Sequence, residues 1–379
     1  MDDGILLTGA TGFVGMEVLY RYLTRTDRTV YVPVRASDDD AATSRLNDTV
    51  ASLFSDTEAY AGRWVAIAAD ITQPSLGLTS KGLDWLGERV TDIVHSAASV
   101  SFSLPLEQAR KINVEGTEHM LEFAQLCAKR GGLRKFSYVS TAYVAGKQRG
   151  CFTEDQLACG QGFRNSYERS KFEAEQRVWR REGDLSLQVL RPSIVVGDRT
   201  SGYTASFNVL YWPIRAFSLG AYKAIPARRQ SPVDVVPVDY VADAVFELSN
   251  RPPAEDRTYH LTAANQATTV GKLMEMTRKH FDRSPPAVIN PTVYRWLIHP
   301  LLRRRAKGPQ RKALEQSLAY FPYFWVRVSY DDQNARSALE PAGVVMSPLE
   351  TYFDRLIEFA NATRWGRRPM GRAEALARV

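Results

Sequence analysis

The chain has 379 residues, of which 44% are apolar and 24% charged, with a net charge of +7. This length predicts about two domains, and the composition excludes disordered, collagenous and disulfide-stapled classes. No run of roughly 18 apolar residues occurs, so no membrane-spanning helix is expected, and from the acidic start MDDGILLTG no signal peptide is expected.

In chain order, GILLT (4–8) reads as a buried strand. Residues 13–23 carry apolar side chains at helical spacing. TVYVPV (29–34) is a second strand, 38–54 a helix with an acidic start, and WVAIAAD (64–70) a third strand. TDIVHSAA (91–98) and KFSYVST (135–141) follow as strands four and five, with one helix from about 106 to 129 between them. A helix over 166–182 leads to LSLQVLR (185–191). The alternation predicts an α/β fold, a Rossmann-type doubly wound parallel sheet with helices on both faces. Past Pro192 the rhythm loosens, although 233–250 (a strand running into a helix) and TYHLTA (258–263) still read as parts of the sheet domain. The expected organisation is an NADP-binding domain over 1–198, with 233–263 returning to it. A smaller, mostly helical substrate-binding region would cover 199–232 and 264–362, and 363–379 would be a loose tail. Cys127, Cys151 and Cys159 form no CxxC, which suggests a reducing, cytoplasmic setting and no metal site.

Gly9, Gly12 and Gly15 stand at GxxGxxG spacing between a strand and a helix. There the backbone can approach a pyrophosphate, and the helix N-terminus offers unpaired N–H groups. An acid ending the second strand would bind the ribose hydroxyls of NAD, but this chain has Arg35 there and Arg45 ten residues on. Two guanidiniums favour a 2′-phosphate, hence NADPH. Asp70, after the third strand, would accept from the adenine amino group or else cap the following segment.

Tyr167 and Lys171 are four residues apart on an expected helix and so share a face. An ammonium beside a phenol would lower its pKa toward neutrality and make Tyr167 a general acid. Ser140 and Thr141 end the fifth strand, where α/β ligands gather, and Thr141 is the preferred hydroxyl.

TGATGFVG, HSAAS (95–99), INVEGT (112–117), VSTAYVAG, YERSK and RPSIVVG (191–197), in this order, resemble an extended short-chain dehydrogenase/reductase. VPVR, SAASVSFSLPLEQARKINVEGT and GYTASFNVLYWPIRAFSLG narrow the resemblance to the fatty acyl-CoA reductase and thioester reductase branch. The resemblance implies NADPH-dependent reduction of an acyl thioester to an aldehyde, and optionally on to an alcohol. It implies Thr141, Tyr167 and Lys171 as the catalytic trio. It implies cofactor contacts from Gly9, Thr11, Gly12, Phe13, Val14, Gly15, Arg35, Arg45, Asp70, Ile71, Ala97, Ala98, Asn113, Lys171, Pro192, Ser193, Ile194 and Val195. The thioester would arrive on CoA or on a separate acyl carrier protein. A keto/hydroxy oxidoreductase or an epimerase of the same fold is the alternative.

Phe207, Leu210, Tyr211, Ile214 and Phe217 have helical spacing, with Pro213 expected to kink the helix. Most would pack on the core, and a few would line an acyl pocket. The whole net charge lies after residue 290, where 15 Lys and Arg face 8 Asp and Glu. Seven of these cations (Arg295, Arg303, Arg304, Arg305, Lys307, Arg311 and Lys312) fall within 293–312. That cluster reads as a solvated face, a peripheral contact with anionic lipid, or a docking site for a carrier or CoA phosphates. No nucleic-acid motif accompanies it. The sequence leaves the oligomeric state open.

Overall fold

The computed structural model describes residues 3–130, 132–207, 209–220, 224–252, 257–305, 307 and 320–379, without the side chains of Leu302 and Arg303. In the N-terminal half, strands β1 (Gly4–Thr8), β2 (Val30–Val34), β3 (Trp64–Ala68), β4 (Val90–His95) and β5 (Lys135–Val139) alternate with helices. These are α1 (Phe13–Arg25), α2 (Asp39–Leu53), α3 (Ser80–Gly87), α4 (Leu106–Arg110) and α5 (Gly116–Arg130). Then come β6 (Arg149–Phe152), α6 (Ser166–Trp179), β7 (Leu187–Pro192) and β8 (Ile194–Val196). The chain continues through α7 (Tyr211–Ser218), β9 (Ala224–Pro226), β10 (Pro232–Val233), β11 (Val235–Pro237), α8 (Val238–Asn250) and β12 (Thr258–Leu261).

Seven strands form one parallel sheet in the order β12-β7-β5-β4-β1-β2-β3. Both faces are covered, which explains why GILLT shows no polar alternation. Ile5 and Leu7 enter the core under α1, α2 and α8, while Leu6 enters the opposite core with α5 and α6. The order reverses between β1 and β4, so the carboxyl ends of these two strands open a crevice.

The structure differs from the sequence reading at four places. The helix expected over 106–129 is broken by a wide π-turn at Lys111–Glu115, which turns Asn113 inward. Val235–Pro237 pairs with β8 in a separate two-stranded ladder, and β12 supplies the sheet edge. Pro213 lies in the first turn of α7, where a missing N–H costs nothing, so it does not kink the helix. The stretch 363–379, expected as loose, carries a helix at Arg372–Leu376. Its Arg372 is buried against Glu17 at 2.9 Å.

A third core joins β8, α7 and the helix Phe353–Ala362. It includes Leu210, Tyr211, Ile214 and Phe217, which are therefore packing residues. Short ladders of two to four residues tie this region together, such as β9 with Ala287–Ile289 and β6 with Arg327–Tyr330. Strands this short show no readable period.

Candidate active site

The turn after β1 is built by its glycines. Gly9 has φ +75°, and a Cβ there would meet the Ala97 backbone nitrogen at 2.8 Å. A Cβ on Gly15 would lie 2.1 Å from the Gly9 oxygen, so only glycine lets α1 start this close to the turn. Gly12 opens α1 without a side-chain cap, which leaves helix N–H groups for a ligand.

The floor of the crevice is a chain of neutral hydrogen bonds. Thr8 Oγ1 accepts from the backbone N–H groups of Ser96 and Ala97, both at 3.1 Å, and so gives its proton to His95 Nδ1 at 2.7 Å. His95 Nε2 then donates to Thr117 Oγ1 at 3.2 Å. Burial, with a smaller push from Lys171, drives the His95 imidazole down to about 3, so the ring is neutral. Asn113 is held behind this floor. It accepts from the Ser99 backbone N–H at 2.7 Å and donates to Ser99 O and Ser170 Oγ.

A cavity of about 310 Å³ opens above the floor. Among the expected site residues it is lined by Gly9, Gly12, Phe13, Val14, Gly15, Ala98, Thr141, Tyr167, Lys171 and Pro192–Val195. Thr11, Arg35, Arg45, Asp70 and Ile71 lie outside it, and Ala97 and Asn113 stand behind its wall. Arg35, just after β2, and Arg45, on α2, are both exposed, and neither makes an ion pair among the described residues. Arg45 donates to the Arg35 carbonyl, which holds the two residues together. Asp70 uses one carboxylate oxygen to accept from the Thr72 N–H at 2.9 Å, a local turn cap, and the other stays available. The glycine cradle and the uncapped helix end fit the pyrophosphate of a dinucleotide.

The reacting side of the cavity differs from expectation in one respect. Lys171 is buried, and its ammonium donates to Tyr138 Oη at 2.7 Å and to Val139 O at 2.9 Å. Burial pushes Lys171 down to about 7, against the pull of Glu175. Tyr167 is not lowered toward neutrality. Burial pushes its phenol up to about 12, although a hydrogen bond with Thr141 works the other way. The phenol is therefore a protonated donor at neutral pH.

Ser140 donates to Glu175 Oε2 at 2.5 Å, so its hydroxyl is committed to the buried Glu175–Arg191 ion pair. Thr141 also borders the cavity, and its hydroxyl donates only a long bond to Pro192 O at 3.3 Å while accepting from the Tyr143 N–H at 3.2 Å. Sequence reasoning missed Glu175 and Arg191, and also the wall formed by Phe102, Tyr143 and Tyr323. Phe102 packs on Tyr167 with ring centroids 5.7 Å apart, and Tyr323 stacks on Phe102 at 5.3 Å. Tyr323 is anchored by donating to Glu168 at 2.7 Å.

Residues 7–245 match the male sterility protein family, an NAD-binding family. The chain belongs to that family. It is 32% identical over 278 residues to isonitrile lipopeptide synthase of Streptomyces coeruleorubidus, a match covering 72% of this chain and 18% of the synthase. It is 26% identical over 283 residues to fatty acyl-CoA reductase wat of Drosophila melanogaster, covering 65% and 53% of the two chains. The chain thus spans about half or less of these relatives' length. The terminal R domain from the myxalamid PKS-NRPS biosynthetic pathway superposes with a TM-score of 0.82 at 27% identity, covering 97% of this chain and 92% of that one. The family is one that binds a nicotinamide cofactor, and the crevice at the β1–β4 reversal is where open α/β sheets hold their ligands. Among the described residues, no helix is long and apolar enough to cross a membrane.

Proposed function

We propose that the chain is an NADPH-dependent reductase that converts an acyl thioester to an aldehyde. The observation that carries this reading is the convergence of two hydroxyls, Thr141 and Tyr167, on a cavity that also contains the Gly9–Gly15 turn and has a largely apolar, aromatic wall. The relatives support it, since they include a fatty acyl-CoA reductase and an R domain. Arg35 and Arg45 would hold the 2′-phosphate, and the Gly9–Gly15 turn the pyrophosphate. When bound, NADPH supplies a hydride. Thr141 and Tyr167 orient the thioester carbonyl by hydrogen-bonding its oxygen, and they stabilise the negative charge that develops there. The Tyr167 phenol then gives its proton to that oxygen. Collapse of the resulting hemithioacetal breaks the C–S bond, releasing the thiol and the aldehyde. Phe102, Tyr143 and Tyr323 keep water from the reacting carbon.

The test is NADPH oxidation, followed by absorbance, against acyl groups on CoA, on pantetheine and on carrier protein, with product identification. Consumption of one NADPH per aldehyde formed supports the reading. No net consumption, with isomerisation of a sugar nucleotide instead, would replace it with the epimerase alternative.

The basic segment 293–312 is described in part. Arg311 and Lys312 lie outside the described residues, as does the side chain of Arg303. Trp296 and Leu297 on the same segment are about 70% exposed.

A further inference from the structure

The Phe321–Trp325 turn borders two cavities. Tyr323 lines the catalytic one, while Phe321, Pro322 and Trp325 line a second cavity of about 570 Å³. Six cations border this second cavity: Lys147, Arg149, Arg164, Arg228, Arg295 and Arg327. Arg164 is paired with Glu168 at 3.2 Å, the other five make no ion pair among the described residues, and no carboxylate lines the cavity there. The backbone forces three of them together. Arg149 and Arg327 are direct partners on adjacent parallel strands. The Arg228 N–H donates to Phe324 O at 3.1 Å, which fixes Arg228 to the same turn. Repulsion from Arg228, then from Arg149, pushes the Arg327 guanidinium below its ordinary value. Like charges placed opposite each other destabilise a strand pair. A fold that keeps them so, without a compensating acid, is prearranged for an anion.

We propose that this cavity receives the adenosine 3′-phosphate 5′-diphosphate end of a CoA thioester, an inference that rests on the thioester reductase reading above. Three features select that occupant. The site is a concave cavity with Tyr294, Phe321 and Trp325 on its wall, suited to a purine face. A carrier protein would instead present one phosphodiester and a broad acidic surface. The five unpaired cations are enough to meet a ligand with three phosphate groups. Two chain segments contribute to both cavities. Lys147 lies six residues after Thr141, and Arg164, which also borders the second cavity, lies three before Tyr167. A nucleotide seated there leaves its acyl-pantetheine arm to lead toward Tyr167.

The experiment is calorimetric titration of the protein and its R149A/R327A variant with CoA and with dephospho-CoA. Kinetics are run in parallel with one acyl group presented on CoA and on pantetheine alone. CoA is expected to bind at least about tenfold more tightly than dephospho-CoA, and the variant to lose at least about tenfold in CoA affinity. KM for acyl-CoA should rise by a similar factor, with kcat and the KM for acyl-pantetheine unchanged. Because repulsion is relieved, the Tm of the variant should equal or exceed that of the parent, which separates lost binding from lost folding. Equal affinity for CoA and dephospho-CoA overturns the proposal, as does undiminished CoA binding by the variant. So does an effect of the variant confined to carrier-bound acyl groups. CoA binding without any NADPH oxidation would retain this cavity assignment and remove the reductase reading. Oxidation with acyl-pantetheine but no CoA binding would do the reverse.

Discussion

The Lys171 ammonium donates to the Tyr138 hydroxyl at 2.7 Å and lies 4.1 Å from the centre of that ring. The lysine of the YxxxK pair is thus gripped by the strand beneath it and does not rest on the phenol one turn away. This buried cation has a consequence for stability. Burial depresses Lys171 from 10.5 to about 7. Between those values the unfolded chain holds a proton that the folded chain has released, so stability rises with pH across that window. Below about pH 7 both states hold the proton, and the full cost of burying the charge remains. Lys171→Met should flatten this rise, as read from urea unfolding at a series of pH values. A slope unchanged by the substitution would show that another group titrates there.

Tyr167 is pushed up to about 12, so its phenol stays protonated throughout the neutral range. Tyr167→Phe keeps the ring against Phe102 and removes the proton donor. Turnover should fall by at least about 10²-fold while NADPH binding persists. For the parent enzyme, kcat should show no loss from phenol ionisation below about pH 10. Near-normal turnover in Tyr167→Phe would move the acid to another group.

Arg35 is exposed and has no carboxylate partner among the described residues. Arg35→Ala should weaken NADPH by about tenfold, the lower end for a charged hydrogen bond because solvent screens the site, and leave NADH nearly unchanged. Fluorescence titration with both cofactors measures the ratio. Equal losses would mean that Arg35 supports the β2–α2 turn and does not read the phosphate.

The strand–helix alternation was legible because each sheet strand is a short apolar run set between helical patterns, and the glycine turn because its spacing has a steric cause. GILLT is read from the sequence with the same bounds that β1 has. What stayed hidden depends on contacts distant in sequence. Glu175 follows Tyr167 and Lys171 at the same four-residue step, so the helix face was readable. Its partner Arg191 comes from β7, and only the fold joins them. The aromatic wall of Tyr323 and Phe102 likewise spans over two hundred residues. The basic cavity escaped notice because Lys147 and Arg149, Arg228 and Arg327 come from three separate parts of the chain, whereas the visible cluster was the local run at 293–312, of which Arg295 borders the cavity.

Arg372 shows how the C-terminal stretch is fastened. Its guanidinium reaches Glu17 at 2.9 Å and stacks over Tyr20 at 3.8 Å. Glu17 is fully buried and is also paired with Arg21, which in turn meets Asp243 at 3.0 Å. Removing Arg372 leaves Glu17 with one cation in place of two. Arg372→Ala should therefore cost about 1–3 kcal/mol, less than stranding a buried carboxylate outright. The loss should appear in urea unfolding, while kcat and NADPH affinity stay near the parent values, because none of these residues lines the catalytic cavity. Arg372→Lys keeps a charge but loses the planar fork over Tyr20, so it should recover only part of the loss. A variant as stable as the parent would show that Arg21 alone satisfies Glu17.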